Sequence, residues 1–398
     1  MALIGVIASS AMVVVFPGNQ LIAAATTCAT ANTLNAGAFG QSNFEIDAPV
    51  ADNTKLGAHA GANLTNDGGS PCIDWSRFAA GAGTGTEADK TSGVIVKHDL
   101  PSGTGDDSFT QGTSENATDP TVGFGSIPPN KSDLQTFWIY KETNATGKFL
   151  NLAWSRINSP SGTVTMDFEL NKVACNNNAA TCSNNAPKGT LYDIPLRSNG
   201  DKLIVYNLAS GGTVPTLSIY TWSGNSTSGT WGTGTLISGG SNPEALGSIN
   251  FSPISATNSV GLGDKDSLTF GEASISFAAI FGTGGTCGSF GSVYLKSRSS
   301  NTFTDELKDF ILPQPVTLTN CTGLTTAASG PVTIGQSITD TATLSGGTSP
   351  TGTITFLAFS DAGVLVTRIS HQWQRQLHVW QLHAEHRWHL LLDGQLQR

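Results

Sequence analysis

Between about Asn43 and Val316, apolar and polar positions alternate with a period of two in one short run after another. In Phe149–Ile157, Leu150, Leu152 and Trp154 share one face, while Asn151 and Ser155 share the other. In Thr163–Asn171, Val164, Met166, Phe168 and Leu170 alternate with Thr165, Asp167 and Glu169. Successive side chains of a strand point to opposite sides, so this spacing predicts strands with one buried face. Similar runs predict strands at Gly93–His98, Gln135–Lys141, Lys202–Leu208, Thr216–Trp222, Thr269–Phe277 and Gly291–Lys296. Many one-sided strands imply two packed antiparallel sheets. The predicted fold class is therefore all-β, with a large antiparallel β-sandwich of jelly-roll or lectin-like kind over residues 32–322. One short helix is predicted at Asp305–Ile311, with Thr304 as N-cap, acidic residues in the first turn and Pro313 beyond the end. Leu312–Ala328 then reads as a hinge, its linker at residues 323–329.

From Gly330 to Phe359 the chain begins a second, Ig-like β-sandwich. Such a domain needs about seven strands, of which residues 330–363 supply about three. From His371 to Arg398 the Ser/Thr/Gly-rich composition gives way to a tail with no Ser or Thr, which holds five of the seven His and three of the eight Trp. Trp has a single codon, and each of these Trp precedes Gln or His, so the frame one base along reads Gly at all three places. With allowed codons that frame yields a Ser/Thr/Gly-rich string resembling the missing half of the domain. Residues 364–398 are thus expected to be a frameshifted, poorly ordered tail, with limited proteolysis stopping near Thr322. His383, Glu385, His386 and His389 lie close together there, but without the H-E-x-x-H helix motif they make a weak zinc set.

Composition narrows the function classes. Only 12% of residues are charged, against roughly 25% in ordinary soluble domains. A net charge of −9 argues against nucleic acid, because phosphate binding needs a basic face. Residues 1–25 carry an apolar stretch and then Ala23-Ala24-Ala25, which reads as a secretory signal peptide without the usual basic start. The apolar stretch breaks at Pro17-Gly18, short of a membrane span, so no membrane association is expected after cleavage. Six cysteines suit an oxidising destination. Proximity pairs Cys175 with Cys182 and Cys287 with Cys321, leaving Cys28 for Cys72.

Three groups of residues could carry chemistry. The segment from Asp99 to Pro120 gathers Asp99, Asp106, Asp107, Glu115 and Asp119, a set able to hold a structural Ca²⁺ or simply to form a solvated acidic loop. Glu45 with Asp47, Asp167 with Glu169, and Glu272 raise a glycosidase reading, since such enzymes use paired carboxyls. Neither pair has the third acid that lectin-like glycosidases place in the same strand. Leu217 and Ile219 are expected to face the core, which puts Tyr220 and Trp222 on the opposite face, near Trp231. Those rings would suit glycan or protein contact. A Ser/His/Asp triad lacks both the G-x-S-x-G elbow and, outside the tail, any His but His59 and His98.

The ordered segments FEIDAPV, DLPSGTGDDSFTQGT, GSIPPNKSDLQTFWIY, FLNLAWSRINSPSGTVTMDFELN, GDKLIVYNLASGGTVPTLSIYTW, FGEASIS and FGSVYLKSRSSNTFTDELKDFILPQPV resemble a large β-domain of secreted actinobacterial surface proteins. The similarity covers most of residues 43–321, and residues 330–359 resemble the bacterial Ig-like repeat. It implies a secreted or cell-surface role and brings no catalytic residues with it. Together with the candidate aromatics, the expected function is display or adhesion, with the sandwich face or its loops touching a glycan or an extracellular protein. A polysaccharide-acting glycosidase on the same sandwich and a structural spacer of the envelope are the rival readings.

Overall fold

The computed structural model describes residues 42–389 except 47, 49–63, 65–71, 79–81, 126–129, 145–146, 160–163, 176–180, 184–193, 209–213, 240–242, 283–286, 329–336, 347–352, 361–364, 373–378 and 384–387. The signal-peptide reading of residues 1–25 lies outside them. Two antiparallel sheets make the main unit, as the alternation predicts. The first runs β1 (Ile95–His98), β4 (Leu134–Thr143), β5 (Lys148–Arg156), β12 (Phe270–Ser276) and β11 (Ala245–Ile249). The second has nine strands. From one edge come β10 (Thr235–Leu236), β8 (Val214–Gly224), β7 (Lys202–Leu208), β6 (Val164–Asn171) and β13 (Ser289–Arg298). Beyond these lie β14 (Leu307–Thr319), β2 (Gly103–Phe109) and β3 (Val122–Gly125), while β9 (Gly229–Trp231) pairs with β8.

All eight runs expected from the alternation are strands, and all but Gly93–His98 turn apolar side chains of the expected face into the core between the sheets, whereas Val94 and Val96 pack in the layer over the first sheet. Leu150, Leu152 and Trp154 of β5 share one core with Val164, Met166, Phe168 and Leu170 of β6, which joins the two sheets. Aromatic pairs cross the interface: Trp154 meets Tyr206 at 5.6 Å and Phe137 meets Phe168 at 6.5 Å, both edge to face. Such contacts add ~0.5–1.5 kcal/mol each beyond the area they bury.

The outer faces are covered as well. Over the first sheet, Phe44, Ile46, Leu64, Trp75, Ile254 and Val260 pack on Trp138, Phe149 and Phe270. Over the second, Phe109, Val122 and Ile194 close on Tyr294 and Phe310, and Trp231 closes on Leu203, Val205 and Trp222. Polar positions of these strands are therefore buried beneath a further layer, which a binary alternation does not reveal.

The structure corrects the helix at Asp305–Ile311. Residues from Leu307 onward form β14, paired with β13 along its length. Thr304, Asp305 and Glu306 mimic a helix start, but Leu307, Phe310 and Ile311 bury their side chains only in extended form between β13 and β2. The hinge expected at 312–328 is likewise strand: β14 runs to Thr319 and β15 spans Thr322–Ala328. Pro315 sits beside a register shift in the β13–β14 ladder, where the missing N–H is tolerated. The one α-helix among the described residues, α1, is Phe277–Phe281, started by the Ser276 hydroxyl accepting from the Ala279 amide.

Cys175–Cys182 and Cys287–Cys321 are disulfides, matching the pairing by proximity. Cys72 is also disulfide-bonded, and Cys28 lies outside the described residues. No helix among the described residues is long and apolar enough to cross a membrane.

The last part of the chain forms two three-stranded sheets. One orders β15, β16 (Ser337–Gly346) and β19 (Val379–His383); the other orders β18 (Leu365–Gln372), β17 (Thr353–Ser360) and β20 (Trp388–His389). Strands thus occur within residues 364–398, where low order was expected: Ile338 pairs with Leu382 and Phe356 with Ile369. His383 and His389 fall in different sheets, while Glu385 and His386 lie outside the described residues.

Candidate functional site

The acidic and aromatic candidates separate into two buried centres and one dispersed remainder. The first centre stands on the outer face of β6 and β13. Glu169 lies opposite Tyr294 and Asp167 opposite Lys296 in the ladder, because alternate residues of both strands share that face. Arg197, just before β7, reaches in from the side. Its Nε donates to Glu169 Oε1 at 3.0 Å, and its Nη2 donates to Glu169 Oε2 at 2.9 Å and to Glu115 Oε1 at 2.6 Å. Lys296 Nζ donates to Glu115 Oε1 at 2.8 Å and also to Glu169 Oε2. Tyr294 Oη donates to Glu169 Oε2 at 3.0 Å. Two carboxylates and two cations thus form a neutral, fully buried quartet. Arg298 grips Asp167 with two bonds at 3.0 and 3.3 Å alongside.

Electrostatics follow from these contacts. Burial works against ionised Glu169, but Arg197 and Lys296 outweigh it and hold the carboxyl below its usual range. Burial also works against Arg197, and Glu169 and Glu115 reverse this and hold the guanidinium charged. Asp167 goes the other way: burial exceeds the pull of Arg298 and raises it to about 6.

Tryptophans close the quartet. Trp222 and Trp231 meet at 5.0 Å, and the Arg197 guanidinium stands 4.8 Å from each ring. Trp231 Nε1 donates to Glu115 Oε1 at 3.0 Å. Trp222 lies across Gly229, where any Cβ would stand 2.5 Å from the indole. The sequence phase was right in setting Tyr220 and Trp222 on the face away from the core, but that face is not an open binding surface. Trp222 and Trp231 are buried, and Tyr220 is half-buried against Phe303.

The second centre lies where the two sheets approach each other beside the β2–β3 hairpin. One carboxylate oxygen each from Asp99, Asp106 and Asp309 falls within 4.8 Å of the others. This keeps two members of the predicted calcium set and changes the rest. Glu115 is spent in the quartet, and Asp107 and Asp119 are not in the converging group. The segment is not one solvated loop either, since Gly103–Phe109 is strand β2. Asp309 joins from 203 positions beyond Asp106, too far for any local spacing to show. Asp133 flanks the group. Burial first, then Asp106, Asp107 and Asp133, push Asp99 up to about 8. Burial and then Asp99, Asp106 and Asp133 push Asp309 well above the usual carboxylate range. Asp133 is raised by burial to about 6.

Glu272 is a structural anchor on the opposite side of the sandwich. Glu272 accepts from the Ala48 amide at 2.8 Å and from Trp75 Nε1 at 2.9 Å, tying the covering segment to β12. Glu45 is buried, and Asp47 lies outside the described residues. Glu272 and the Asp167/Glu169 pair occupy opposite outer faces with the whole core between them. No protein-family model, curated protein or solved structure matches the chain.

Proposed function

We propose that the chain is a secreted or cell-surface protein without enzymatic activity, displaying its sandwich for contact with a glycan or an extracellular protein. The carrying observation is where the carboxylates lie. Glycoside hydrolysis needs two carboxyl groups roughly 5–10 Å apart on either side of one bond. Asp167, Glu169 and Glu272 are fully buried, and each is engaged by cations or donors of the protein itself. A sugar has no path to them. The disulfides fit an oxidising compartment. The resemblance to secreted actinobacterial surface proteins supports the same reading.

Contact area is available elsewhere. Leu100 and Phe124 are large apolar side chains more than half exposed, at 57% and 51%. Leu100 precedes β2, and Phe124 lies on β3 opposite Asp107. Both belong to the hairpin end of the sandwich, and exposed apolar side chains of this kind mark surfaces that meet partners.

The test is a glycan and matrix-protein array probed with the full chain, beside a reducing-sugar assay on the same glycans. Binding without sugar release is expected, weakened about tenfold or more by Leu100→Ser with Phe124→Ser, in keeping with loss of an apolar anchor pair. Release of sugar by the wild-type chain would overturn the reading in favour of the glycosidase. Absence of any bound partner would favour the spacer.

A further inference from the structure

We propose that Asp99, Asp106 and Asp309 bind one hard divalent cation, Ca²⁺ by their oxygen chemistry, and that this ion clamps the two sheets where the β2–β3 hairpin joins them. The ligand oxygens lie within 4.8 Å of one another. Ca²⁺ holds oxygens at about 2.3–2.6 Å, so oxygens on opposite sides of the ion stand roughly 4.6–5.2 Å apart, and all three fit one shell. An all-carboxylate set with no thiolate or imidazole selects Ca²⁺ or Mg²⁺ over softer metals.

A second observation points to a ligand independently of the clustering. Asp309 is fully buried, and its Oδ2 accepts the Leu134 amide at 2.7 Å. Its Oδ1 is equally buried and has no hydrogen-bond donor. Asp99 repeats the arrangement, with Oδ1 accepting the Leu100 amide at 2.9 Å and a buried Oδ2 without a donor. Buried carboxylate oxygens left this way are costly unless a cation meets them.

The place in the fold says what the ion would do. Asp99 continues the first sheet, its amide donating to the Gln135 carbonyl at 2.8 Å. Asp106 is on β2 and Asp309 on β14, both in the second sheet. The ladder between β2 and β14 holds a single register pair, Asp309 with Ser108. So short a ladder gives the hairpin few backbone bonds to β14 beside the apolar contact of Phe109 with Phe310, and an ion shared by β2, β14 and the end of β1 adds a cross-link to the first sheet. The site does not depend on what the surface binds.

The full chain, stripped with EDTA, would be titrated calorimetrically with CaCl₂ and MgCl₂, and melted with and without each. A saturable one-site Ca²⁺ isotherm is expected, with a melting temperature higher by about 5 °C in millimolar Ca²⁺ and restored by EDTA. Hydrogen exchange of amides 103–109 should slow about tenfold or more on Ca²⁺ addition, because the hairpin opens locally without it. Asp309→Asn keeps an oxygen for the Leu134 amide and should raise Kd about tenfold or more. Asp106→Asn, on the hairpin, is the second variant should the first not fold. A wild-type chain giving neither heat nor a melting shift with either cation would overturn the proposal in favour of protons shared among the acids. So would Ca²⁺ binding that is unchanged in both variants.

Discussion

Glu169→Gln is expected to destabilise the chain by about 3–5 kcal/mol, the usual penalty for removing one partner from a buried ion pair. The carboxylate takes two bonds from Arg197, one from Lys296 and one from Tyr294, with an Asn171 amide bond at 2.9 Å besides. Gln keeps the shape but turns an NH₂ group toward at least one of these donors. Arg197 and Lys296 would then share only Glu115 in a layer sealed by Trp222 and Trp231. Urea denaturation would measure the loss, and a change below about 1 kcal/mol would mean the quartet contributes like a surface pair. Glu169→Gln with Lys296→Met should cost less than the two single changes together, since the pair is removed as a unit.

The same contacts fix a pH dependence. The folded-state pKa of Glu169 is depressed, so its contribution is present above the unfolded value near 4.5 and lost as pH falls. Asp167 acts in the opposite sense. Its pKa is raised to about 6, so its contribution is fully present below about 3.8 and is lost as pH rises through about 6. Glu169 therefore contributes to acid unfolding below about pH 4, beside the more exposed Asp89, Asp305 and Glu306, which are also lowered by their hydrogen bonds. The curve of Glu169→Gln should be flatter there.

The two-sheet sandwich was legible because its central core obeys the simplest rule, one apolar face per strand. Every residue of β6 that reads as inward, from Val164 to Leu170, is in that core. The outer layers were not legible, because Asp167 and Glu169 look alike whether water or Arg197 and Lys296 face them. The low charge content was the available hint, since few charged residues remain to solvate the outside of so many strands. β14 was misread because Thr304-Asp305-Glu306 carries good helix-start chemistry, and only the neighbouring strands decide against it. β2 was read as a loop because Gly103–Phe109 has a single large apolar residue, Phe109. The acidic centre could be read only in half: Asp99 and Asp106 are near in sequence, whereas Asp309 is brought in by sheet topology. The strands from Leu365 onward had no alternation to announce them.

Trp222→Ala is expected to cost about 3–5 kcal/mol, as deletion of a fully buried large aromatic does. The indole is 0% exposed, packs on Trp231 at 5.0 Å, lies over Gly229 and forms one wall around Arg197. Its Nε1 donates to the Asn225 carbonyl at 3.2 Å, which fixes the β8–β9 turn. Alanine would leave a void beside a guanidinium whose charge is balanced only by Glu115 and Glu169, so water entering the space would also weaken those pairs. Tyr220→Ala is the comparison. Tyr220 is half-buried, with Phe303 at 4.7 Å as its ring partner, and should cost about half as much or less. Had these rings been glycan platforms, the order would be reversed: small stability changes, large affinity losses, and the largest effect at the most exposed ring. Denaturation midpoints of the two variants, measured beside array binding of the folded chains, separate the cases. A Trp222→Ala chain as stable as wild type within about 1 kcal/mol would show that the second sheet's outer layer is not sealed and return the aromatics to the surface.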